Sequence, residues 1–529
     1  MPTTKLHQTF KNLLISLLPA PPPLKIREEP IETFAIDLKQ MVVKAPKYWR
    51  KMKHLPELLT HEIKHGSNDG LPYTWNQALR YEAYVMAHSR KPLEVVKWVL
   101  NAVYDAVVDL RVQMAGLDAK GMCEEWLQKF PVTKRNEGTI YHLLQIIYKD
   151  LFGISLPPSD FERQVKRKRE YYWLMDLIRK MAEEGGTIER VSNAALIMLR
   201  LARVTKLPSL DVSFSRSSKE VQAEAVEAGL NAGLRGSTLA EFAGVPEEEL
   251  EKTIQEVADE KVKTALWENI LGFKDLFAGR TSTSIRERIS RKWRPYSRKV
   301  LPESVVKNPD DPRKWREPEL KEVLQVEQPG EKGGFSKVIL LIDHSGSTMD
   351  PYKNQTVLGY IKSAAYGLIA YAKKRKIPLV TVAFSGYAEI LANEKNTYVE
   401  HGKQIFKLRP AGATNLYRAC QILKRVHPEQ SLIALITDGL VNPEDIQHLL
   451  DYTKANKVVI AVTDSSRQGV KTVQTASEKA DLFLICPDEL GRVLVKYLDK
   501  TYAPLEGKGQ VQISKDSSNL KETSFSPKI

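Results

Sequence analysis

Three polar side chains follow a short apolar run near the middle of the carboxyl-terminal half. Residues 337–342 (Lys-Val-Ile-Leu-Leu-Ile) predict a buried strand, and Asp343, Ser345 and Ser347 come directly after it. Gly346 lets the backbone turn tightly enough for the alternate side chains to converge. One carboxylate and two hydroxyls are hard oxygen ligands, which suit Mg²⁺ or Mn²⁺ better than Zn²⁺.

Two later stretches supply further oxygen ligands. Thr414 lies in the glycine-containing stretch 411–415, and Asp438 follows a second predicted strand at 432–436. Open α/β sheets bind ligands outside the carboxyl ends of their strands, so we expect Asp343 and Asp438 to face one site. The alternative is that these are ordinary turn residues at strand ends.

A second chemical pattern is His61-Glu62-x-x-His65. Residues 54–65 predict a helix, with Pro56 in its first turn and Gly66 after its last residue. Side chains four residues apart share a helix face, so both imidazoles can bind one Zn²⁺ while Glu62 serves as the general base for water.

A zinc site of this kind needs a third protein ligand. Glu82, seventeen positions beyond His65 in a second predicted helix, is the candidate, and His88 is the substitute. The competing interpretation is a surface helix that carries two exposed histidines and binds no metal.

The order Asp-x-Ser-x-Ser, then Thr, then Asp resembles the von Willebrand factor A (VWA) domain and its metal-ion-dependent adhesion site (MIDAS). The resemblance implies that Asp343, Ser345, Ser347, Thr414 and Asp438 surround one metal. It also implies a protein partner that supplies an acidic ligand to the open coordination position. Intracellular prokaryotic members of this class commonly act beside MoxR-type AAA+ ATPases. This chain has no Gly-x-x-x-x-Gly-Lys-Ser/Thr loop, so such an ATPase would be a separate protein.

The amino-terminal pattern resembles a group of bacterial and archaeal metallopeptidase-like proteins that also carry a VWA-like domain. In that group a Trp-Asn-x-Ala stretch follows the zinc helix, and Trp75-Asn-Gln-Ala78 stands here. The group usually has an acidic residue shortly afterwards, whereas this chain has Arg80 near that place and Glu82 two positions later.

Composition is that of a globular protein, with 529 residues, 42% hydrophobic and 27% charged. Three widely spaced cysteines predict no disulfide framework, and we expect a cytoplasmic protein with no membrane association. The net charge of +14, with basic clusters at 166–169 and 286–299, would suit nucleic acid as a partner. A solvated basic face is the simpler explanation.

Alternation of strands and helices after residue 335 predicts an α/β doubly wound, Rossmann-like domain, with a hairpin near 388–400. The resemblance implies that this domain is of the VWA type. The rest is predicted to be mostly helical, with a small α+β, zincin-like segment. The predicted divisions are an amino-terminal helix and proline-rich connector (1–30), the zincin-like segment (31–90), a helical domain (91–280), a basic linker (281–334), the VWA domain (335–503) and a disordered tail (504–529).

Three functions therefore remain open at the level of sequence. The first is a zinc metallopeptidase-like region coupled to a Mg²⁺-dependent protein-binding domain. The second is a non-enzymatic adaptor or co-chaperone of a MoxR-type AAA+ ATPase. The third is RNA binding, as in the Ro ribonucleoproteins, which also end in a VWA domain.

Overall fold

The structure is a computed structural model of the 529-residue chain. It describes residues 3–17, 24–31, 34–67, 71–72, 74–204, 212–213, 216, 218–278, 306–308, 311–316, 337–426, 431–452, 457–462, 481–484, 490–491 and 494–495. The chain divides into two compact units: Met1–Ile270 with Ser336–Leu494, and Leu271–Phe335 with Val495–Ile529.

The described part of the chain is predominantly helical. Its helices are α1 (Thr3–Leu17), α2 (Leu55–His65), α3 (Trp75–Ser89), α4 (Leu93–Met114), α5 (Ala119–Lys129), α6 (Ile140–Phe152), α7 (Asp160–Lys166), α8 (Arg169–Glu184), α9 (Ile188–Leu201), α10 (Lys219–Asn231), α11 (Gly236–Ala243), α12 (Leu250–Ala278), α13 (Val357–Arg375), α14 (Tyr398–Phe406), α15 (Leu416–Val426) and α16 (Pro443–Tyr452). Among the described residues, no helix combines the length and apolarity that a membrane span requires.

Within the described ranges, the strands belong to two main sheets and two hairpins. They are β1 (Lys25–Glu29), β2 (Ala35–Asp37), β3 (Val42–Pro46), β4 (Val212–Ser213), β5 (Val306–Asn308), β6 (Asp311–Arg316), β7 (Lys337–Asp343), β8 (Pro351–Tyr352), β9 (Gln355–Thr356), β10 (Leu379–Phe384), β11 (Ala388–Ala392), β12 (Ser431–Thr437), β13 (Lys457–Val462) and β14 (Asp481–Leu484). The hairpins pair β5 with β6 and β8 with β9.

The larger sheet has the order β11-β10-β7-β12-β13-β14. All its neighbours are parallel except β10 and β11, which form an antiparallel pair. The first strand, β7, is central, and the chain builds outward on one side and then on the other. This order places a topological switch point between β7 and β12, where doubly wound folds bind their ligands.

Strand β7 is buried because helices cover both faces of a parallel sheet. Every residue from Val338 to Asp343 is buried, which matches the continuous apolar run in the sequence. A single apolar cluster joins its side chains to those of β10, β12, β13, α15 and α16. A mostly parallel α/β sheet of this kind is compatible with the predicted VWA-like architecture.

The smaller sheet has the order β1-β3-β2-β4 and packs with α1 and α2 around one apolar cluster. Leu59 and Ile63, four residues apart on α2, are fully buried in that cluster. His61 and His65 therefore lie on the other side of α2, which packs against α4. This α+β arrangement turns the imidazoles away from the sheet.

The helical region and the α/β region belong to one compact unit. Lys362 on α13 is buried and donates hydrogen bonds to Asn231 Oδ1 of α10 (2.7 Å) and to the Phe406 carbonyl (2.9 Å). The β8–β9 hairpin also contacts the helices, because Ile188 N donates to the Lys353 carbonyl at 2.9 Å. The two regions are thus joined by buried polar contacts.

Some predicted elements differ from the structure or lie outside the described residues. A hairpin was predicted near 388–400, but the chain leaves β11 at Ala392 and begins α14 at Tyr398. The Thr397 side chain accepts a hydrogen bond from Glu400 N and so caps α14, a signal that outweighs strand propensity. The tail 504–529 lies outside the described residues, and within 281–334 only the β5–β6 hairpin is described.

Candidate metal centres

Three potential ligand atoms from α2 and α4 meet at one point. His65 Nε2 lies 3.0 Å from His61 Nε2, and Asp105 Oδ1 lies 3.6 Å from His61 Nε2 and 3.5 Å from His65 Nε2. A tetrahedral zinc ion with ligands at about 2.0 to 2.1 Å separates neighbouring ligand atoms by roughly 3.3 Å. The triangle therefore has the dimensions of a three-ligand zinc site.

The hydrogen bonds of the two imidazoles fix where their lone pairs point. His61 Nδ1 lies 2.7 Å from Asp109 Oδ1, and His65 Nδ1 lies 2.6 Å from the Leu71 carbonyl. Since each partner is an acceptor, each Nδ1 carries the hydrogen and each Nε2 is left as a donor of electrons to a metal. Two Nε2 atoms 3.0 Å apart need a shared proton or a metal cation between them.

The charges around these imidazoles also favour a cation. Burial alone would lower the pKa of His61, but the neighbouring carboxylates of Asp109 and Asp105 outweigh it and raise that pKa well above 6.5. Burial would raise the pKa of Asp105, yet the two imidazoles beside it outweigh burial and hold that pKa below its usual value. Asp105 Oδ2 is buried and has no hydrogen-bond partner in the described residues, so it too has a free lone pair.

Asp109 contacts His61 on the ring nitrogen that faces away from the other ligand atoms. Its Oδ1 accepts from His61 Nδ1, and its Oδ2 accepts from the Tyr148 hydroxyl at 2.6 Å. A carboxylate on the far nitrogen of a metal-binding imidazole fixes the ring and raises its basicity. Asp109 is therefore placed to support His61 rather than to contact a metal.

Glu62 is buried on the same helix as His61 and His65. Together with them it lines a cavity of about 700 Å³. Burial raises the pKa of Glu62, and the nearby His61 and His65 only partly oppose that shift. A carboxylate in this position is suited to accept a proton from water and to return it later.

The structure does not bring the predicted third ligand, Glu82, to the two histidines. Glu82 is buried on α3 in an ion pair with Arg216. His88, the substitute, is exposed, stacks on Tyr84 and bonds to the Tyr84 carbonyl. Among the described residues, the group of three His, Cys, Asp or Glu side chains close enough to hold a metal consists of His61, His65 and Asp105.

Asp105 was not predicted as a ligand, because the many apolar residues of α4 indicate only a helix that packs in the core. Asp105 and Asp109 are four residues apart in the run Val103-Tyr-Asp-Ala-Val-Val-Asp-Leu110, which is otherwise apolar. Buried carboxylates need a cation or hydrogen-bond donors beside them. That pattern is the signal from which the ligand could have been found.

The second candidate centre lies at the carboxyl ends of β7 and β12. Asp343 is fully buried, its Oδ1 accepts from Ser345 N at 2.9 Å, and its Oδ2 accepts from Thr437 Oγ1 at 2.6 Å. Burial and the charge of Asp438 raise the pKa of Asp343 to about 7. Asp438 therefore lies close enough to Asp343 for its charge to act on that carboxyl.

The hydroxyls of this centre are arranged as neighbouring ligands. Ser345 Oγ lies 3.1 Å from Ser347 Oγ. An octahedral Mg²⁺ with ligands at about 2.0 to 2.1 Å separates adjacent oxygens by roughly 2.9 Å, so both hydroxyls fit one ion.

Backbone hydrogen bonds join the loop that carries Thr414 to the segment that carries Ser345 and Ser347. Ala411 N donates to the His344 carbonyl at 2.8 Å, and Gly346 N donates to the Gly412 carbonyl at 2.9 Å. Gly412 has a φ of +62° and so takes a backbone conformation that favours glycine. The three predicted stretches are thus assembled at one edge of the sheet.

Comparison with known proteins gives limited information. No protein-family model matches the chain, and no curated protein matches it. Among solved structures it is similar to the manganese-loaded TRAP protein of Plasmodium vivax, with a TM-score of 0.25 and 16% identity over 32% of this chain and 74% of that one.

Two further structural matches differ in their coverage. Proximal thread matrix protein 1 of the mussel byssus, with a zinc-occupied MIDAS motif, has a TM-score of 0.27 and 17% identity over 32% of this chain and 48% of that one. The RO (RSR) protein of Deinococcus radiodurans has a TM-score of 0.20 and 10% identity over 89% of this chain and 99% of that one. At these scores the matches establish neither a function nor a ligand.

Proposed function

We propose that this protein is a zinc-dependent peptide hydrolase that also carries a Mg²⁺- or Mn²⁺-dependent protein-binding site. The observation that carries the first part is the triangle of His61 Nε2, His65 Nε2 and Asp105 Oδ1, with sides of 3.0 to 3.6 Å, beside the buried carboxylate of Glu62. His61, His65 and Asp105 would hold the ion, and Asp109 would orient His61.

The roles of the chain's own groups follow from their positions. Zinc, when bound, supplies Lewis acidity for the activation of water and of a substrate carbonyl. Glu62 accepts the proton of the attacking water as general base, and then gives it to the amide nitrogen of the leaving group. The cavity of about 700 Å³ in front of these residues has room for several residues of a peptide.

Elemental analysis of purified protein tests this proposal without knowledge of a substrate. We expect about one zinc per chain in the wild type, and loss of zinc in His61→Ala and Asp105→Ala. His88→Ala serves as the matched control, because His88 is an exposed histidine outside the group and should leave zinc content unchanged. Equal zinc content in all four proteins would refute the site.

Glu62→Gln separates metal binding from chemistry. The variant should retain zinc but lose hydrolysis of a denatured protein such as casein, because the amide cannot accept the proton. If the loss of activity were accompanied by loss of zinc, Glu62 would instead have a structural role.

For the Asp343 centre we propose capture of a partner's acidic side chain through the bound ion. The buried Asp343, its neighbour Asp438 and the adjacent hydroxyls of Ser345 and Ser347 support this proposal. Binding of a partner should require Mg²⁺ or Mn²⁺ and should disappear in Asp343→Ala. Capture that persists in EDTA would rule this role out.

An AAA+ ATPase as the partner, and RNA binding by the basic surface, remain predictions from sequence.

A further inference from the structure

The cavity in front of the zinc-type group extends along one face of α2. His54, Leu58, His61, Glu62 and His65 all line it, at spacings of four, three, one and three residues. These spacings keep one helix face toward the cavity. With a rise of 1.5 Å per residue, His54 lies about 10 Å along the helix axis from His61. The cavity therefore reaches well beyond the ligand atoms, toward the amino-terminal end of α2.

That distant end of the cavity is basic. Lys51 and Lys53 line it from the segment before α2, and both are exposed. Lys129 also lines the cavity, with its Nζ 5.6 Å from the centroid of the Phe130 ring. Neither Lys51 nor Lys53 forms an ion pair with a carboxylate in the described part of the chain. The nearby carboxylates face His54 instead: Glu57 at 3.8 Å from Nδ1 and Glu125 at 3.6 Å from Nε2. The lysine charges are thus available to a ligand.

The wall between the two ends is aromatic. Trp126, Phe130 and Tyr148 line the cavity, with ring centroids of Trp126 and Phe130, and of Trp126 and Tyr148, 6.1 Å apart in each case. Trp126 and Phe130 are only half-buried, so they offer apolar surface to a ligand. Tyr148 is held by its bond to Asp109, which places the aromatic wall next to the metal ligands.

We infer that this cavity selects extended peptides with two features, an inference that rests on the proposed hydrolase function. One feature is an aromatic or large aliphatic side chain next to the hydrolysed bond, which packs on Trp126 and Phe130. The other is a carboxylate about three residues from that bond, since an extended chain advances about 3.3 Å per residue and the basic end lies about 10 Å away. The carboxylate belongs to an Asp or Glu side chain or to a peptide's carboxyl terminus.

Cleavage of a tryptic peptide library by the zinc-loaded full-length protein, followed by mass spectrometry, tests the inference. We expect cleaved sites enriched in aromatic or large aliphatic residues at one flanking position and in Asp or Glu at about the third position on one side. Synthetic peptides based on the best site then compare Glu with Gln at that position, and a free with an amidated carboxyl terminus. This comparison distinguishes the two sources of the carboxylate.

The double variant Lys51→Glu with Lys53→Glu provides the decisive measurement. It should lower kcat/KM for the Glu peptide about tenfold and change it less than twofold for the Gln peptide, because an exposed ion pair contributes up to about fivefold and two are reversed. Lys180→Glu with Lys252→Glu, which changes two exposed lysines outside the cavity, is the matched control.

The results separate this inference from the function on which it rests. Hydrolysis without an acidic preference, or a preference that survives the double variant, overturns the inference and leaves the hydrolase intact. No hydrolysis of any peptide, with wild type equal to Glu62→Gln, overturns the proposed function itself.

Discussion

Ionisation of Asp343 should destabilise the metal-free protein, and Asp343→Asn removes that effect. The folded-state pKa of about 7 lies roughly 3 units above the unfolded value of 3.8, and each unit corresponds to about 1.36 kcal/mol. Below about pH 3 the group is protonated in both states, so it has no effect. As the pH rises from about 3 to about 7 the unfolded state ionises first, and the folded state becomes less stable by about 4 kcal/mol in total.

The assay is urea denaturation of wild type and Asp343→Asn in EDTA at pH 5 and pH 8. At pH 8 we expect the variant to have the larger free energy of unfolding, by up to about 4 kcal/mol, and at pH 5 the advantage should shrink to less than half. Asp176→Asn, which changes an exposed carboxylate on α8, should show no such dependence on pH.

Added Mg²⁺ should stabilise the wild type selectively, because only the wild type retains the carboxylate ligand. A hundredfold excess of the ion over its Kd stabilises the wild type by about 2.7 kcal/mol and removes most of the difference at pH 8, and a thousandfold excess stabilises it by about 4.1 kcal/mol and cancels that difference. The difference in free energy of unfolding could instead be the same at both pH values, or not change when Mg²⁺ is added. Either result would show that Asp343 is not a destabilised carboxylate that a cation stabilises.

Three further predictions concern other parts of the molecule. Asp109→Asn should weaken zinc binding about 10- to 100-fold in a chelator competition, because His61 loses the carboxylate that orients it; unchanged affinity would contradict this role. Burial lowers the pKa of His401 to about 4, so stability should fall as the pH drops from 6.5 toward 4, and His401→Asn should flatten that part of a urea-denaturation profile. Leu341→Ala, in the central strand, should lower the free energy of unfolding by about 2 to 5 kcal/mol, whereas a loss below 1 kcal/mol in urea would contradict a tightly packed sheet.

Periodicity and strand-end chemistry were sufficient to predict much of the α/β region. The apolar run before Asp343 and the second run before Asp438 predict buried strands, and parallel strands bring their carboxyl ends to one edge. The pairing of β7 with both β10 and β12 comes from the structure and was not predicted. The predicted hairpin near 388–400 was wrong for the segment after β11. There Thr397 caps a helix, α14.

The third ligand of the zinc-type centre could not be obtained from spacing along the chain. Asp105 is forty residues beyond His65, and the packing of α4 against α2 brings the two together. Glu82 lies seventeen positions beyond His65, the spacing on which the prediction rested. It forms an ion pair with Arg216 instead, a partner 134 residues away in the sequence. Sequence distance constrains neighbours within one helix, whereas contacts between helices depend on the tertiary fold.

The buried contact of Lys362 with Asn231 limits how the chain can be divided for experiments. A fragment beginning near residue 336 would keep the Phe406 carbonyl but lose Asn231, and α13 would expose to water a face that the full protein covers. Burial lowers the pKa of Lys362 to about 7, so its ammonium is already poorly solvated where it is. Excision of the α/β region would thus alter the hydration and charge of this lysine, and binding measured on the fragment would describe a different surface.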